Sequence, residues 1–396
     1  MNNISVYGLL LEGRECERQE LRNAIRFTIG FREKLDPERM QLALDKAVTV
    51  CPYIAYIPVR RNGFISYESC EKALKLSFCL PGRLGGEETG GHYSVILCRD
   101  SSLEIYVSHG ICDAEAVTWF IDALLCAYFG SDSHRYRGFG SPDYSVDLMA
   151  QKLPVPEDYR FTDCTKSPAF TFPEAKEAVP DRYCLLSADR EQFRTMCRRM
   201  NCSATVAAVW LLFSAVQKCY PGNTGWLTCK TPVSTRKVFG AENSFQNASV
   251  PNIVFAYEGS RILQEDPARA AVRLDREKSE QTDPERLAYI TNALGSFCRK
   301  ESGRDAVSEI FKIFGQSMLV SCIKGCIPAC ADEHIAAFQM SSNVMCPLGL
   351  YVTYTPGKVF FGFTSTFDAD KIIDMFAGCL KEAGIGCEPA ETFKNS

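Results

Sequence analysis

Residues 131–180 carry no sustained hydrophobic period, and they split the chain into two halves that each alternate strand-like and helix-like stretches. Proline, aspartate and serine rise through "SPDYSVDLMAQKLPVPEDYRFTDCTKSPAFTFPEAKEAVP", as in a segment that crosses between two compact units. At 396 residues the chain also exceeds the size at which one core stops growing. The expectation is an α/β protein with an N-terminal subdomain at 1–150, a crossover linker at 151–182 and a C-terminal subdomain at 183–396.

In the first half, "AIRFTIGFRE" alternates and reads as a strand. "DPERMQLALDKAVTVCP" reads as a helix, with Asp36 as N-cap and Pro37 at the first helical position. "AYIPVRRNGFISYES" reads as a hairpin turning at Asn62-Gly63, and "HYSVILCRDSSLEIYVSH" as a second hairpin. "AEAVTWFIDALLCAYFG" carries a helical stripe of Val117, Phe120, Ile121, Leu124 and Tyr128, closed by Gly130. "PGRLGGEETGGH" is glycine-rich but lacks the Lys-Ser/Thr ending of a phosphate loop, so it reads as a flexible loop.

The second half opens with a strand at "RYCLLSA" and a helix at "DREQFRTMCRRMN". The apolar helix "SATVAAVWLLFSAVQKCY" follows, with Ser203 as its cap, and then a strand "GWLTCKTPVS" ending at "TRKVFG". Helices are expected over 266–281, 283–300 and 303–320. "LGLYVTYTPGKVFFGFTST" reads as a hairpin at Pro356-Gly357, and a last helix starts at an Asp368 cap.

Composition narrows the partners. A net charge of −4 leaves no basic footprint for nucleic acid. The start, "MNNISVYGLLLEGRECERQE", shows no secretion signal, and the longest apolar run, "ATVAAVWLLFSAV", is shorter than a membrane span. Twenty scattered cysteines in a chain with ample core of its own read as reduced thiols of a cytoplasmic protein. Cys322, Cys326, Cys330 and His334 recur every four residues, but Gly325 and Pro328 interrupt any helix that would align them, so no metal is expected.

His109 is one of four histidines. By the period of two it falls with Leu103, Ile105 and Val107 on one face of "LEIYVSH", at the last rung before the chain turns into a helix. That is a place for a base, although a histidine at a strand end can equally be a satisfied turn residue and Asp113 a plain helix cap. There is no G-x-S-x-G and no G-x-G-x-x-G.

His-Gly-Ile-Cys-Asp at 109–113 resembles the H-x-x-x-D signature of the CoA-dependent acyltransferase superfamily, which includes chloramphenicol acetyltransferase, alcohol acetyltransferases and the condensation domains of peptide synthetases. "TPVSTRK" at 231–237 and the closing segment 341–376 are similar to further parts of that fold, closest to the alcohol acetyltransferase-like branch. The resemblance implies two mixed-sheet subdomains with a channel between them. It implies that His109 takes the proton from an alcohol or amine acceptor as this attacks an acyl-CoA or acyl-carrier thioester. It implies no permanently bound cofactor. Asp113 would pair with Arg236 in structural support of the site, and Ser342, beside Ser341 and Asn343, would face the oxyanion. Arg194, Arg198, Arg199, Arg236 and Lys237 are candidates for the CoA phosphates. The chain departs from the pattern in having Ala114 where fuller signatures have glycine, Ser108 where many condensation domains have a second histidine, and no "DFGWG". Two alternatives follow: a stand-alone condensation-type enzyme acting with a carrier protein, and a non-catalytic binding protein of the same fold.

Overall fold

A computed structural model describes residue 21 and residues 24–61, 64–133, 168–176, 182–246, 248, 253–290, 318–323, 327–342 and 346–390. The first sheet is built outward from β1 (Ile25–Phe31), whose Ile25, Phe27, Ile29 and Phe31 are buried in one apolar cluster. β1 pairs antiparallel with β6 (Ser102–Val107) on one side and β11 (Ile335–Ser341) on the other. β5 (Ser94–Cys98) and the two-residue β4 (Leu76–Ser77) complete the order β11-β1-β6-β5-β4. β2 (Tyr56–Arg61) and β3 (Phe64–Ser69) form a separate two-stranded ribbon.

Two helices cover the apolar face of this sheet. α1 (Pro37–Val50) is capped by Asp36, whose carboxylate accepts from the Glu38 and Arg39 amides. α2 (Ala114–Phe129) ends at Gly130, whose φ of 75° is left-handed backbone that a side chain would strain. The glycine-rich stretch is ordered by its own turns: the Gly85 amide donates to His92 O at 2.7 Å and the Gly91 amide to Gly86 O at 2.9 Å.

The second sheet has the order β14-β7-β13-β12-β10-β8-β9. Its strands are β7 (Arg182–Asp189), β8 (Trp226–Thr231), β9 (Ile253–Glu258), β10 (Met318–Cys322), β12 (Leu348–Tyr354), β13 (Lys358–Ser365) and β14 (Cys387–Pro389). β10 runs parallel to both β8 and β12, and the other pairings are antiparallel. Four helices pack on one face: α3 (Arg190–Arg199), α4 (Ala204–Cys219), α5 (Pro267–Gln281) and α6 (Asp370–Glu382). α4 is buried on nearly every side, which accounts for its apolar sequence. Among the described residues no single helix is long and apolar enough to cross a membrane.

Four expectations change. The strand holding His109 stops at Val107; the Ser108 amide still donates to Tyr93 O at 2.9 Å, but Ile111 closes a turn on Ser108 O at 3.0 Å, so His109 lies in that turn. The helix expected over 303–320 gives way to a strand at Met318, because Met318 and Val320 fill the second core from a rung pattern of two. The last helix starts at Asp370 with Ala369 at the cap position, while Asp368 accepts from the Asp370 amide at 3.1 Å. The halves of the sequence are not the two sheets: β11 comes from the second half and joins the first sheet, and Phe170 and Phe172 of the expected linker lie in the second core. The Asn62-Gly63 turn, most of the linker, Cys326, Asn343 and the helical expectations over 291–317 lie outside the described residues.

Candidate active site

The turn after β6 is held from three directions. The Gly110 amide donates to Ser108 Oγ at 3.2 Å, the Tyr67 hydroxyl donates to Gly110 O, and Asp113 caps α2 by accepting from the Ala116 amide at 3.1 Å. Tyr53 donates to Ala116 O at 2.6 Å, one turn into the helix. Phe245 stacks on Tyr53 with centroids 5.1 Å apart and meets Tyr56 and Tyr67 edge-on at 5.8 Å. His109 thus sits on a short loop with packed supports beneath and beside it.

His109 itself is half-buried. Burial pushes the imidazole pKa down from 6.5 to about 4, and the nearby Asp113 carboxylate acts in the opposite sense. At neutral pH the ring is therefore uncharged and able to accept a proton.

Asp113 and Arg236 meet as a two-pronged ion pair, Nη1 to Oδ2 and Nη2 to Oδ1, each 2.8 Å, with both side chains 3% exposed. The carboxylate also accepts from the Ala248 amide at 3.0 Å. The guanidinium is used in every direction: Nε donates to Ser244 O at 2.7 Å, Nη1 to Glu115 Oε2 at 2.9 Å, and Nη2 to Gln246 O at 2.9 Å. The Trp119 ring lies 5.1 Å from its centre. Burial opposes the charge on Arg236, but Asp113, joined by Glu115, outweighs it and holds the guanidinium pKa above its ordinary value. Arg236 is presented by the turn after β8, where Thr235 donates to Ala248 O through its amide at 2.8 Å and its hydroxyl at 2.7 Å.

Ser341 ends β11, level with Arg26, which is level with Tyr106 of β6. Ser342 and His109 therefore follow strands that end on the same side of the sheet, with β1 between those strands, which lie about 10 Å apart. Ser342 is half-buried and accepts at its carbonyl from the Tyr351 hydroxyl at 3.2 Å; the two hydroxyls are also hydrogen-bonded. Burial raises the Tyr351 pKa, so this phenol keeps its proton.

Of the cations considered for CoA phosphates, Arg236 has no donor left to give. Arg194 and Arg198 pair with Glu191 at 3.2 and 3.0 Å, and Arg199 donates to Ala383 O at 3.1 Å. Lys237 is exposed beside the site. His334 of the cysteine run stacks on Phe129 with centroids 4.5 Å apart. Among the described residues no group of three or more His, Cys, Asp or Glu side chains is arranged to hold a metal ion, and the described cysteines are free thiols.

Sequence reasoning missed Glu115, Trp119, Tyr67, Tyr351 and the backbone of Ser244, Gln246 and Ala248. Glu115 and Trp119 had a usable signal, since residues four apart share a helix face and both lie in the first turns after Asp113. The tyrosines reach the site from strands distant in sequence and had none.

No family model matches the chain, and no curated protein is similar enough to match it. Solved structures do match over nearly its whole length. TRI101 of F. graminearum, complexed with coenzyme A and T-2 mycotoxin, is 10% identical with a TM-score of 0.65, covering 97% of this chain and 98% of that one. The first condensation domain of the CDA synthetase is 12% identical with a TM-score of 0.61, covering 99% and 97%. Polyketide synthase associated protein 5 from Mycobacterium tuberculosis is 12% identical with a TM-score of 0.59, covering 92% and 98%. With its two mixed sheets bridged by β11, the chain has the chloramphenicol acetyltransferase-like fold of CoA-dependent acyltransferases and peptide-synthetase condensation domains.

Proposed function

We propose that the protein is an acyltransferase that moves an acyl group from a CoA thioester to the hydroxyl or amine of a small molecule, with His109 as general base. The observation that carries this reading is the division of labour between His109 and Asp113. The imidazole is neutral and partly open, whereas the carboxylate beside it is fully engaged by Arg236, Ala116 and Ala248 and has no lone pair to spare for a substrate proton. The acceptor's O–H or N–H gives its proton to His109 as the heteroatom attacks the thioester carbonyl. The resulting oxyanion collapses, the C–S bond breaks, and the imidazolium returns the proton to the departing thiolate. The products are an ester or amide and a free thiol. Ser342, held by Tyr351 at the same end of the sheet, is the candidate donor to the oxyanion; removal of such a donor typically costs about 10²–10³-fold in rate. Asp113 and Arg236 are positioning residues, which fix the loop that aims His109.

A second reading has its own support. Three of the cations considered for CoA phosphates are engaged within the protein, and Arg236 is closed to any ligand, which leaves little to bind a free nucleotide tail. A carrier-bound thioester needs no such cluster, and the fold is shared with a condensation domain. The test is thiol release from a panel of acyl-CoAs and from the same acyl groups on a carrier domain, with alcohols and amines as acceptors. His109→Ala, checked for folding by circular dichroism, is expected to lose about 10²–10⁴-fold in turnover. Undiminished turnover in the folded variant overturns the mechanism, and absence of turnover or thioester binding with every donor favours a non-catalytic binding protein.

A further inference from the structure

We propose that Cys126 and Cys330 are a peroxide-responsive pair, which closes to a reversible disulfide and pins the first lobe to the chain segment returning from the second. Cys126 lies in the last turn of α2, and Cys330 in the 3₁₀ turn Ala329–His334 that leads into β11. The two thiols are hydrogen-bonded to each other, and both are free in this structure. A disulfide needs two cysteines whose side chains already point at one another, and that contact meets the requirement.

Neighbouring contacts fix the two segments in register. Phe129, three residues after Cys126 and on the same face of α2, stacks on His334, four residues after Cys330, with ring centroids 4.5 Å apart. Between Cys330 and His334, Ala331 is fully buried in the first core. The His334 carbonyl accepts from the Arg32 amide at 2.9 Å, and the Glu333 carbonyl from Arg32 Nε at 3.0 Å. The turn is thus clamped onto α2 and onto the residue that follows β1, which holds the two sulfurs together.

The thiols differ in a way that orders the chemistry. Cys126 is 1% exposed, and burial, reinforced by the Asp122 carboxylate, pushes its pKa up to about 12, so it stays protonated and inert on its own. Cys330 is half-buried, so hydrogen peroxide from solvent meets it first. The Cys330 thiolate attacks one peroxide oxygen and the O–O bond breaks. Cys330 becomes a sulfenic acid, and the hydroxide released takes up a proton to become water. The Cys126 sulfur then displaces the sulfenic hydroxyl: the S–S bond forms, the S–O bond breaks, and the Cys126 proton leaves with the hydroxyl as a second water. The link lies away from the catalytic turn. β11 enters the first sheet with Ile335 opposite Phe31, whereas His109 follows β6 at the other end, where Val107 pairs with Ile25. Oxidation therefore acts on stability, because joining residues 126 and 330 closes a long loop and constrains the unfolded chain.

The full chain is treated with a small excess of hydrogen peroxide, quenched with catalase, alkylated in urea and mapped by peptide mass spectrometry with fragmentation. The expected product is a peptide pair joined through Cys126 and Cys330 that dithiothreitol separates, with the melting temperature raised by about 3 °C or more until reduction. Cys126→Ala removes the resolving thiol, so dimedone should trap severalfold more sulfenic acid at Cys330 than in the wild type. Cys330→Ala should give neither the link nor the rise in melting temperature, and circular dichroism checks that both variants fold. The proposal is overturned if Cys330 resists peroxide, if it oxidises in the wild type without joining Cys126, or if the link forms with no rise in melting temperature. It is equally overturned if folded Cys126→Ala traps no more sulfenic acid than the wild type.

Discussion

At the scale of single residues, Arg236 shows why a charge can be buried here. Its donors reach two carboxylates and two backbone carbonyls, at distances between 2.7 and 2.9 Å. Lysine offers a point charge on a flexible stem and cannot span those partners, so Arg236→Lys is expected to behave as a loss of function rather than a conservative change. Removing either member of the pair leaves a buried charge alone and should cost about 3–5 kcal/mol in urea unfolding. The double variant Asp113→Ala with Arg236→Ala should cost less than the sum of the single changes, since it leaves no orphaned charge; additive losses would show that the pair is not coupled. His109 adds a pH dependence whose sign follows from its pKa, lowered to about 4 from the usual 6.5. Between these values the unfolded chain takes up a proton that the folded chain refuses, so stability falls as pH drops from about 6.5 to about 4. His109→Gln should flatten that part of the profile relative to the wild type. The acid limb of kcat/KM should accordingly lie below pH 6.5, displaced in the direction of the lowered His109 pKa.

At the scale of elements, β11 determines how the two sheets meet. Its Phe338 carbonyl accepts from Thr353 Oγ1 of β12 at 2.6 Å, and it crosses β13 at Gly362. A Cβ there would lie 3.1 Å from Gln339 Cγ and 3.5 Å from Met340 O. Gly362→Ala should therefore push β11 off β13 and lower stability by about 1–3 kcal/mol, read as a shift in the urea midpoint; an unchanged midpoint would mean that Gln339 yields freely. Elements with their own caps and a clean period were legible in the sequence. α1 with Asp36 and Pro37, α2 ending at Gly130, and the hairpin of β12 and β13 all carry local signals. β10 was not, because the apolar run Met318–Val320 is too short for its period to separate the end of a helix from a strand. Nor was the placement of β11, since sheet order is set by partners far along the chain. The same division runs through the site. The places of His109 and Asp113 between strand and helix follow from local pattern and their roles only from the resemblance to H-x-x-x-D, whereas Tyr67 on Gly110 and Tyr351 on Ser342 depend on contacts that only the fold creates.

Over the whole molecule, the two lobes share their interior. The first core, built mainly from residues 25–128, also contains Leu185, Phe245, Tyr351 and Phe360 along with most of β11. Arg26 of β1 pairs with Glu104 at 2.8 Å and lies 5.4 Å from the Tyr183 ring of β7, so a buried ion pair of the first sheet abuts the second. A lobe removed from its partner would expose these rungs and lose β11 from the edge of its sheet, which leaves neither half a complete core. Unfolding should then be a single transition in spite of the chain's length. The three tryptophans provide the means to see it, as Trp119 lies on α2 while Trp210 and Trp226 lie on α4 and β8. A variant retaining Trp119 alone and a variant retaining Trp210 and Trp226 should each show a fluorescence transition that coincides with loss of its own far-UV circular dichroism. Fluorescence of the second variant changing at a higher urea concentration than that of the first, with circular dichroism in two steps, would mean that the lobes unfold independently and that β11 is a tether rather than a shared strand.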